Sequence, residues 1–357
     1  MAAFLDVGMV RSLLRNGVEP FRQILPRVVR RRISVQLARL GASRLERELR
    51  ELASGSHTIV AGPWLGEVGF ELLYWVPFVA WFTERFNVDP ERLLVVSRGG
   101  TASWYAPFAH RYRDVLDDVT PEAYQAAHRV RVREIGEQKQ TSITAFERDL
   151  ITRVADETGL GPARVLHPAK MYRVLRPFWW GHVDESWVHR RAKYRRHVAP
   201  DRAAVPQLPP SYSAVKFYFN DCFPATDSNR AFVRDTVQRL AQEGPVVSLS
   251  GGAALDDHGG CPVEGPGVID LATGPAARNL HIQSTVVAHA RTFVGTYGGF
   301  AYLAPFYGVP STAYFDDAAG FARSHLRMAH SAFAAIGAGN LLDVRSVRDR
   351  GVGAAGA

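Results

Sequence analysis

Cysteine is scarce in this chain, with only Cys222 and Cys261 among 357 residues. Neither stands in a CxxC pair or at a Cys/His ligand spacing, so neither a disulfide framework nor a structural zinc site is expected. No run of about 18 apolar residues occurs, so no membrane-spanning helix is expected. The N-terminus lacks a short basic region leading into an uninterrupted apolar stretch and a small-residue cleavage site. No secretory signal is therefore evident, and the reading is cytoplasmic. Low-complexity tracts are missing as well, since the 31 glycines and 21 prolines are spread along the chain. No internal repeat is visible, which excludes a solenoid.

What is present suits a globular protein. Hydrophobic residues make up 46% and charged residues 22%, enough apolar material for a sizeable core. At roughly 150 residues per domain the length points to two domains. The net charge is +8, and it is unevenly placed. Residues 1–55 hold eleven arginines, no lysine and five acids (Asp6, Glu19, Glu46, Glu48, Glu51). The basicity therefore belongs to an N-terminal extension. There, arginines interleave with aliphatic residues at roughly helical spacing. Such a helix over residues 1–50 suits an anionic membrane surface, at the inner face, and equally a solvated helix packed on the body. Nucleic acid is not expected as a partner, because the body carries no second basic stripe.

Beyond Ser54-Gly55-Ser56 the pattern changes to short apolar runs alternating with helical stretches. His57–Ala61, Arg92–Ser97, Val130–Ile135 and Arg164–Pro168 read as strands. Phe70–Phe82 reads as a buried helix interrupted at Pro77. Tyr105–Asp118 reads as helical and polar, and Phe146–Thr158 as helical. Four prolines within residues 198–213 mark a linker. A second alternating block follows, with strands at Ala214–Phe219, Pro245–Ser250, Val268–Leu271, Thr292–Val294 and Ser311–Phe315. Helices are expected at Arg230–Glu243, Leu280–Ala290 and Phe300–Tyr307. Strand–helix alternation implies parallel sheets whose ligands gather beyond the strand carboxyl ends. The expected division is 1–55 (basic helical extension), 56–197 (first α/β domain), 198–213 (linker), 214–345 (second α/β domain) and 346–357 (flexible tail).

The stretch from Ala288 to Pro310 carries the most information. It reads strand, Gly295-Thr-Tyr-Gly-Gly299 loop, short helix, then Gly308-Val-Pro310 before the last strand. This segment resembles the donor half of GT-B glycosyltransferases. The resemblance implies two doubly wound Rossmann-like domains facing a cleft, a nucleotide-sugar donor, and a glycan or lipid-linked acceptor. It implies no cofactor and no metal. Physically, glycines let backbone approach a diphosphate, and the free N–H groups of a helix start point at the anion. Thr296, Tyr297, Gly298 and Gly299 are thus the donor candidates there. Asn220, Arg230, Ser250 and Gly251 join them from neighbouring strand ends, Arg230 as a bidentate phosphate partner.

In the first block, the resemblance puts an acid in the loop Gly62-Pro-Trp-Leu-Gly66-Glu67-Val-Gly69. Glu67, between glycines, is the expected general base for an acceptor hydroxyl, with Glu71 as competitor in a helix-capping position. Acceptor-side candidates are Trp64, Arg98, Trp104, His110 and His167, joined by Tyr105, Lys139, Gln140, Lys170 and Tyr172. The Asp256-Asp257-His258 and His182/Asp184/Glu185/His189 groups lack a metal-site spacing. Two other functions stay open on the same sequence: a nucleotide-sugar epimerase or hydrolase, and a non-catalytic glycan- or nucleotide-binding protein.

Overall fold

The computed structural model describes residues 27–136, 139–158, 164–249, 259–271, 274–321 and 323–348. Ser250, Gly251, Asp256, Asp257, His258 and residues 1–26 and 349–357 lie outside them. The chain enters on a 27-residue helix, α1 (Arg27–Ala53). Its first sheet follows: β1 (Ile59–Ala61), β2 (Leu93–Ser97), β3 (Arg111–Asp114) and β4 (Arg164–Leu166), all parallel in the order β3-β2-β1-β4. β1 and β2 are buried throughout, as expected of apolar runs covered on both faces.

Between β1 and β2 lies one long helical run. It begins as α2 (Val68–Phe70), passes through a π-helical segment (Glu71–Trp75) and ends as α3 (Val76–Arg85). Pro77 does not end it. Proline lacks the N–H that would serve the carbonyl four residues back. That carbonyl, of Leu73, instead accepts the Tyr194 hydroxyl at 3.0 Å. After β2 come α4 (Ala102–Tyr105), then β3, α5 (Val115–Asp118), α6 (Pro121–Ile135) and α7 (Ala145–Glu157).

The structure corrects two expectations. Val130–Ile135 is no strand but the end of α6. Thr120 caps that helix, Pro121 opens it, and Gly136 closes it in the left-handed region at φ 73°, which are helix boundary signals. The third strand is instead Arg111–Asp114, inside the stretch read as helical. It is a polar edge strand, half-buried over most of its length, so it carries no apolar run to reveal it.

After β4, α8 (Pro168–Trp179) and α9 (Glu185–His189) complete the first unit. Residues 190–212 then cross over, pinned to the second unit by Tyr212, whose hydroxyl donates to Val286 O at 2.7 Å. The second sheet contains β5 (Ser213–Lys216), β7 (Val246–Ser248), β9 (Val268–Asp270), β10 (Thr292–Thr296), β11 (Ser311–Phe315) and β12 (Leu342–Ser346). They are all parallel, in the order β12-β11-β10-β5-β7-β9. Counted along the unit this is 6-5-4-1-2-3, the doubly wound order, with its switch point between β5 and β10. A short pair, β6 (Tyr218–Phe219) and β8 (Gly259–Gly260), lies outside the sheet. Helices α10 (Asp227–Glu243), α11 (Asn279–Ala288), α12 (Gly299–Phe306) and α13 (Arg323–Ala335) cover it.

One hydrophobic cluster joins the two units. It contains Leu72, Trp75 and Trp104 from the first and Ala214, Val286, Phe300 and Phe333 from the second. The C-terminal half of α1 belongs to it through Leu45 and Leu49, which are fully buried. That half of the basic extension is therefore packed on the body. Among the described residues no helix is long and apolar enough to cross a membrane.

Candidate functional site

The strand carboxyl ends of the two sheets meet. Gly99 and Gly100, just after β2, lie against Leu280, His281 and Ala277 at the start of α11. His281 N donates to Gly99 O at 2.8 Å, and Trp104 Nε1 donates to Ser284 Oγ at 3.0 Å. Most telling is Gly69 of α2 against Gly299, the first residue of α12. A methyl on Gly299 would stand 2.6 Å from Gly69 N, so only glycine permits this approach. The N-cap of α12, Gly298, has φ 154° and supplies no side-chain cap. A methyl there would collide with the Tyr218 hydroxyl.

The loop after β1 is held from several sides. Gln140, fully buried, accepts from Leu65 N at 2.8 Å and donates to Pro63 O at 2.8 Å. The Tyr124 hydroxyl donates to Leu65 O at 2.8 Å, and the Arg98 guanidinium donates to Gly66 O. These bonds fix the backbone that presents Glu67. Glu67 itself is exposed and stands at the N-cap of α2, two residues before Gly69.

Glu71 is the opposite case. It is fully buried in the π-helical segment, a distortion common at functional sites. Its Oε1 accepts from Ser97 Oγ at 2.6 Å and from the Tyr105 hydroxyl at 2.7 Å. Its Oε2 is buried with no hydrogen-bond partner. Burial pushes its carboxyl up to about 7, against the pull of the Arg98 charge and the two hydroxyls; nearby Asp114 adds to the rise. Glu71 and Arg98 interact electrostatically, and Arg98 also grips the loop at Gly66. Arg98 thus stands between the Glu71 carboxyl and the loop that carries Glu67. Tyr105 is among the expected acceptor-side residues, but its pairing with Glu71, like that of Ser97, spans 34 and 26 residues of sequence and leaves no signal in the pattern.

The other expected residues divide clearly. Trp64 is fully buried, stacked between Trp75 at 5.9 Å and Tyr172 at 6.2 Å. Trp104 is fully buried between the units, stacked on His197. Neither offers a ring face to a sugar, because each is core. His110 is exposed and pairs with Glu91 at 2.8 Å. It precedes β3, so it lies at the amino end of the sheet, away from the site. His167 caps α8, accepting from Ala169 N at 3.0 Å, and its Nε2 faces Glu147 at 3.3 Å. Glu147 also pairs with buried Arg131 at 2.9 Å. Burial alone would raise the Glu147 carboxyl, but the His167 bond and the Arg131 charge outweigh it and hold it near 2. This cluster supports the loop through Gln140, which donates to Glu147 Oε1 at 2.6 Å.

On the donor side, the Thr296 hydroxyl is already committed. It donates to Tyr218 O at 2.8 Å and accepts from Tyr218 N at 3.0 Å. The Tyr297 hydroxyl accepts from Tyr302 at 2.6 Å, and its ring stacks on Phe321. Asn220 builds a turn, its Oδ1 accepting from Cys222 N and Phe223 N at 3.0 and 2.9 Å. Arg230 is exposed over the Phe219 ring at 4.6 Å.

Lys216 has more to offer. It ends β5 at the switch point, with Nζ 4.2 Å from the Phe300 ring centre at the start of α12. It donates to Gln283 Oε1 at 2.7 Å and Leu249 O at 3.1 Å. A lysine at the end of a central strand was the available signal for it. Two further groups gather where α2 meets α12 and α13. His325 Nδ1 lies 2.7 Å from the Tyr74 hydroxyl, and Lys139 Nζ lies 4.6 Å from the Phe70 ring centre.

Among the described residues no group of three or more His, Cys, Asp or Glu side chains could hold a metal ion. Asp184 caps α9, Glu185 pairs with Arg327 at 2.8 Å and His189 bonds Ser331 at 2.6 Å, so each is engaged elsewhere.

No protein-family model matches the chain, and no curated protein does. Several solved structures are similar to it in part, at low identity. The iron-containing dodecameric glycosyltransferase TibC from enterotoxigenic E. coli is 13% identical with a TM-score of 0.39. It matches over 72% of this chain, which spans 58% of TibC. A family 9 glycosyl transferase from Veillonella parvula is 12% identical over 84% of this chain and 88% of its own, with a TM-score of 0.40. The E. coli ADP-heptose lps heptosyltransferase II is 11% identical over 82% and 90%, with a TM-score of 0.42. At these scores the likeness assigns no activity; the parallel α/β architecture stands on the strand order itself.

Proposed function

We propose that the chain is a glycosyltransferase of two Rossmann-like domains, transferring a sugar from a nucleotide-sugar donor across the junction of its two sheets. One observation carries the reading: the loop bearing Glu67 touches the glycine start of α12, which lies at the switch point of the second sheet. The first N–H groups of a helix lack intrahelical acceptors and favour an anion. A donor diphosphate reaches those of α12 once the 66–69 loop draws back from Gly299. Lys216, beside the helix start, adds positive charge for the leaving nucleotide diphosphate.

Glu67 then serves as base toward the acceptor hydroxyl, which is a glycan or lipid-linked sugar. Glu71 is a positioning residue: it acts through Arg98 on the Gly66 backbone and does not touch substrate. The donor set requires no metal, because the helix end and Lys216 supply the electrostatic stabilisation. The basic extension suits the inner face of a membrane. A thermal-shift screen with nucleoside diphosphates and their sugars tests the reading. The expected result is stabilisation by one nucleoside diphosphate class that Lys216→Ala weakens. No stabilisation by any of them overturns it.

A further inference from the structure

On the first unit a groove of about 450 Å³ opens beyond the carboxyl end of β4, on the same side as the junction. It runs between the 141–143 segment and α8, and Thr141, His167, Lys170, Tyr172, Arg173 and Arg176 shape it. Three of these are cations spaced three residues apart, so they share one face of α8 over successive turns. Among the described residues only one acid answers them: Glu48 of α1 lies 3.2 Å from Lys170 and 2.5 Å from Arg173. Arg176 has no acid partner among the described residues. Its guanidinium lies 4.8 Å from the Trp180 ring centre, and Trp180 is 61% exposed.

The surplus charge continues onto α1. Arg44, one helical turn before Glu48, and the adjacent Arg47 are both exposed and form no ion pair among the described residues. His167 cannot add to the groove's polar wall, since both of its ring nitrogens are engaged. The floor and far wall are apolar, with Val165 and Ile143. The inner end reaches Tyr172, whose ring lies 6.3 Å from Phe70 next to Glu71.

A charge excess with a hydroxyl on the opposite wall and an apolar floor is a poor design for a structural salt-bridge network, where acids and bases balance. It suits an amphiphilic anion. We propose that this groove binds a phosphate-bearing group, held by Arg173 and Arg176 as guanidinium–phosphate contacts, with Lys170 and Thr141 completing the set. The same chemistry has two sources: the headgroup of an anionic lipid, or a soluble phosphorylated glycan. The site stands independently of the glycosyl-transfer reading, and its assay contains no nucleotide.

The test uses the full chain, an Arg173→Ala/Arg176→Ala double variant and an Arg176→Glu single variant. Arg176 has no ion-pair partner to lose, so the single variant keeps the fold even if the double variant melts early. Sedimentation is measured with vesicles of phosphatidylcholine alone and of phosphatidylcholine with phosphatidylglycerol, and calorimetry with glycerol 3-phosphate, a monophosphate that lacks the diphosphate proposed for the α12 start. Each arginine contributes roughly fivefold to binding near an anionic surface, so the double variant loses about 25-fold. Sedimentation with the anionic vesicles alone, reduced by that factor, supports the site with a lipid headgroup as its ligand. Glycerol 3-phosphate heat that both variants abolish, without sedimentation, supports the site with a soluble phosphoester. Binding of neither probe, or binding that both variants retain in full, overturns the proposal.

Discussion

Glu71→Gln is the most informative single change, because it separates a titrating acid from an isosteric neutral group. In the unfolded chain a glutamate releases its proton near 4.5; in the folded protein burial holds Glu71 protonated up to about 7. Between those values the folded state binds more protons than the unfolded state, so stability falls as pH rises. The contribution is fully present below pH 4.5 and gone above 7. At about 1.4 kcal/mol for each pH unit across that interval, it amounts to about 3 kcal/mol. The buried histidines His197 and His325, held by burial near 3 and 4, act in the opposite sense below pH 6.5. The readout is therefore the difference between wild type and variant, measured by urea unfolding from pH 5 to pH 8. The glutamine keeps an oxygen for Ser97 and Tyr105 but puts an amide where Oε2 has no partner, so it is the less stable form at pH 5. That deficit should shrink or reverse by about 3 kcal/mol on going to pH 8. A deficit independent of pH would refute the buried-acid account of Glu71.

Other expectations follow from the same geometry. Glu67→Gln should lower turnover by about 10²- to 10⁴-fold with an unchanged melting temperature, read from initial rates and a thermal melt. Gly299→Ala drives a methyl against Gly69 N at 2.6 Å and should destabilise by about 1–3 kcal/mol in urea unfolding. Arg131→Ala removes the guanidinium partner of buried Glu147, which keeps its His167, Gln140 and Thr144 bonds, and should lower stability at pH 7 by about 1.5–3 kcal/mol, with the penalty falling as pH drops toward the Glu147 value near 2.

Much of the scaffold is readable because its strands are buried on both faces. Ile59–Ala61 and Leu93–Val96 are apolar without interruption, and Gly62 and Gly99-Gly100 mark where they turn. β3 is not readable, because an edge strand of Arg111-Tyr-Arg-Asp has no apolar face to show. The end of α6 has the pattern of a strand because Val130, Val132 and Ile135 alternate with charges; the caps at Thr120 and Gly136 are the better guide. At the site, chemistry-bearing residues are visible but their burial is not. Trp64 and Trp104 have the composition of sugar platforms and the position of core. The hydroxyl of Thr296 is spent on Tyr218, a contact between strand ends 78 residues apart. Gly69 and Gly299 both look like room for a ligand. Each is also room for the other, a fact that only the packing of the two sheets contains.

The central claim is that the α12 helix start and Glu67 together frame one reacting centre. A crystal structure with a bound nucleoside diphosphate tests it most directly. The account predicts phosphate oxygens within hydrogen-bond distance of the Gly299 and Phe300 N–H groups, the 66–69 loop moved off Gly299, and the Glu67 carboxylate facing the vacated space. A diphosphate bound elsewhere, with Gly69 still seated on Gly299, would contradict it.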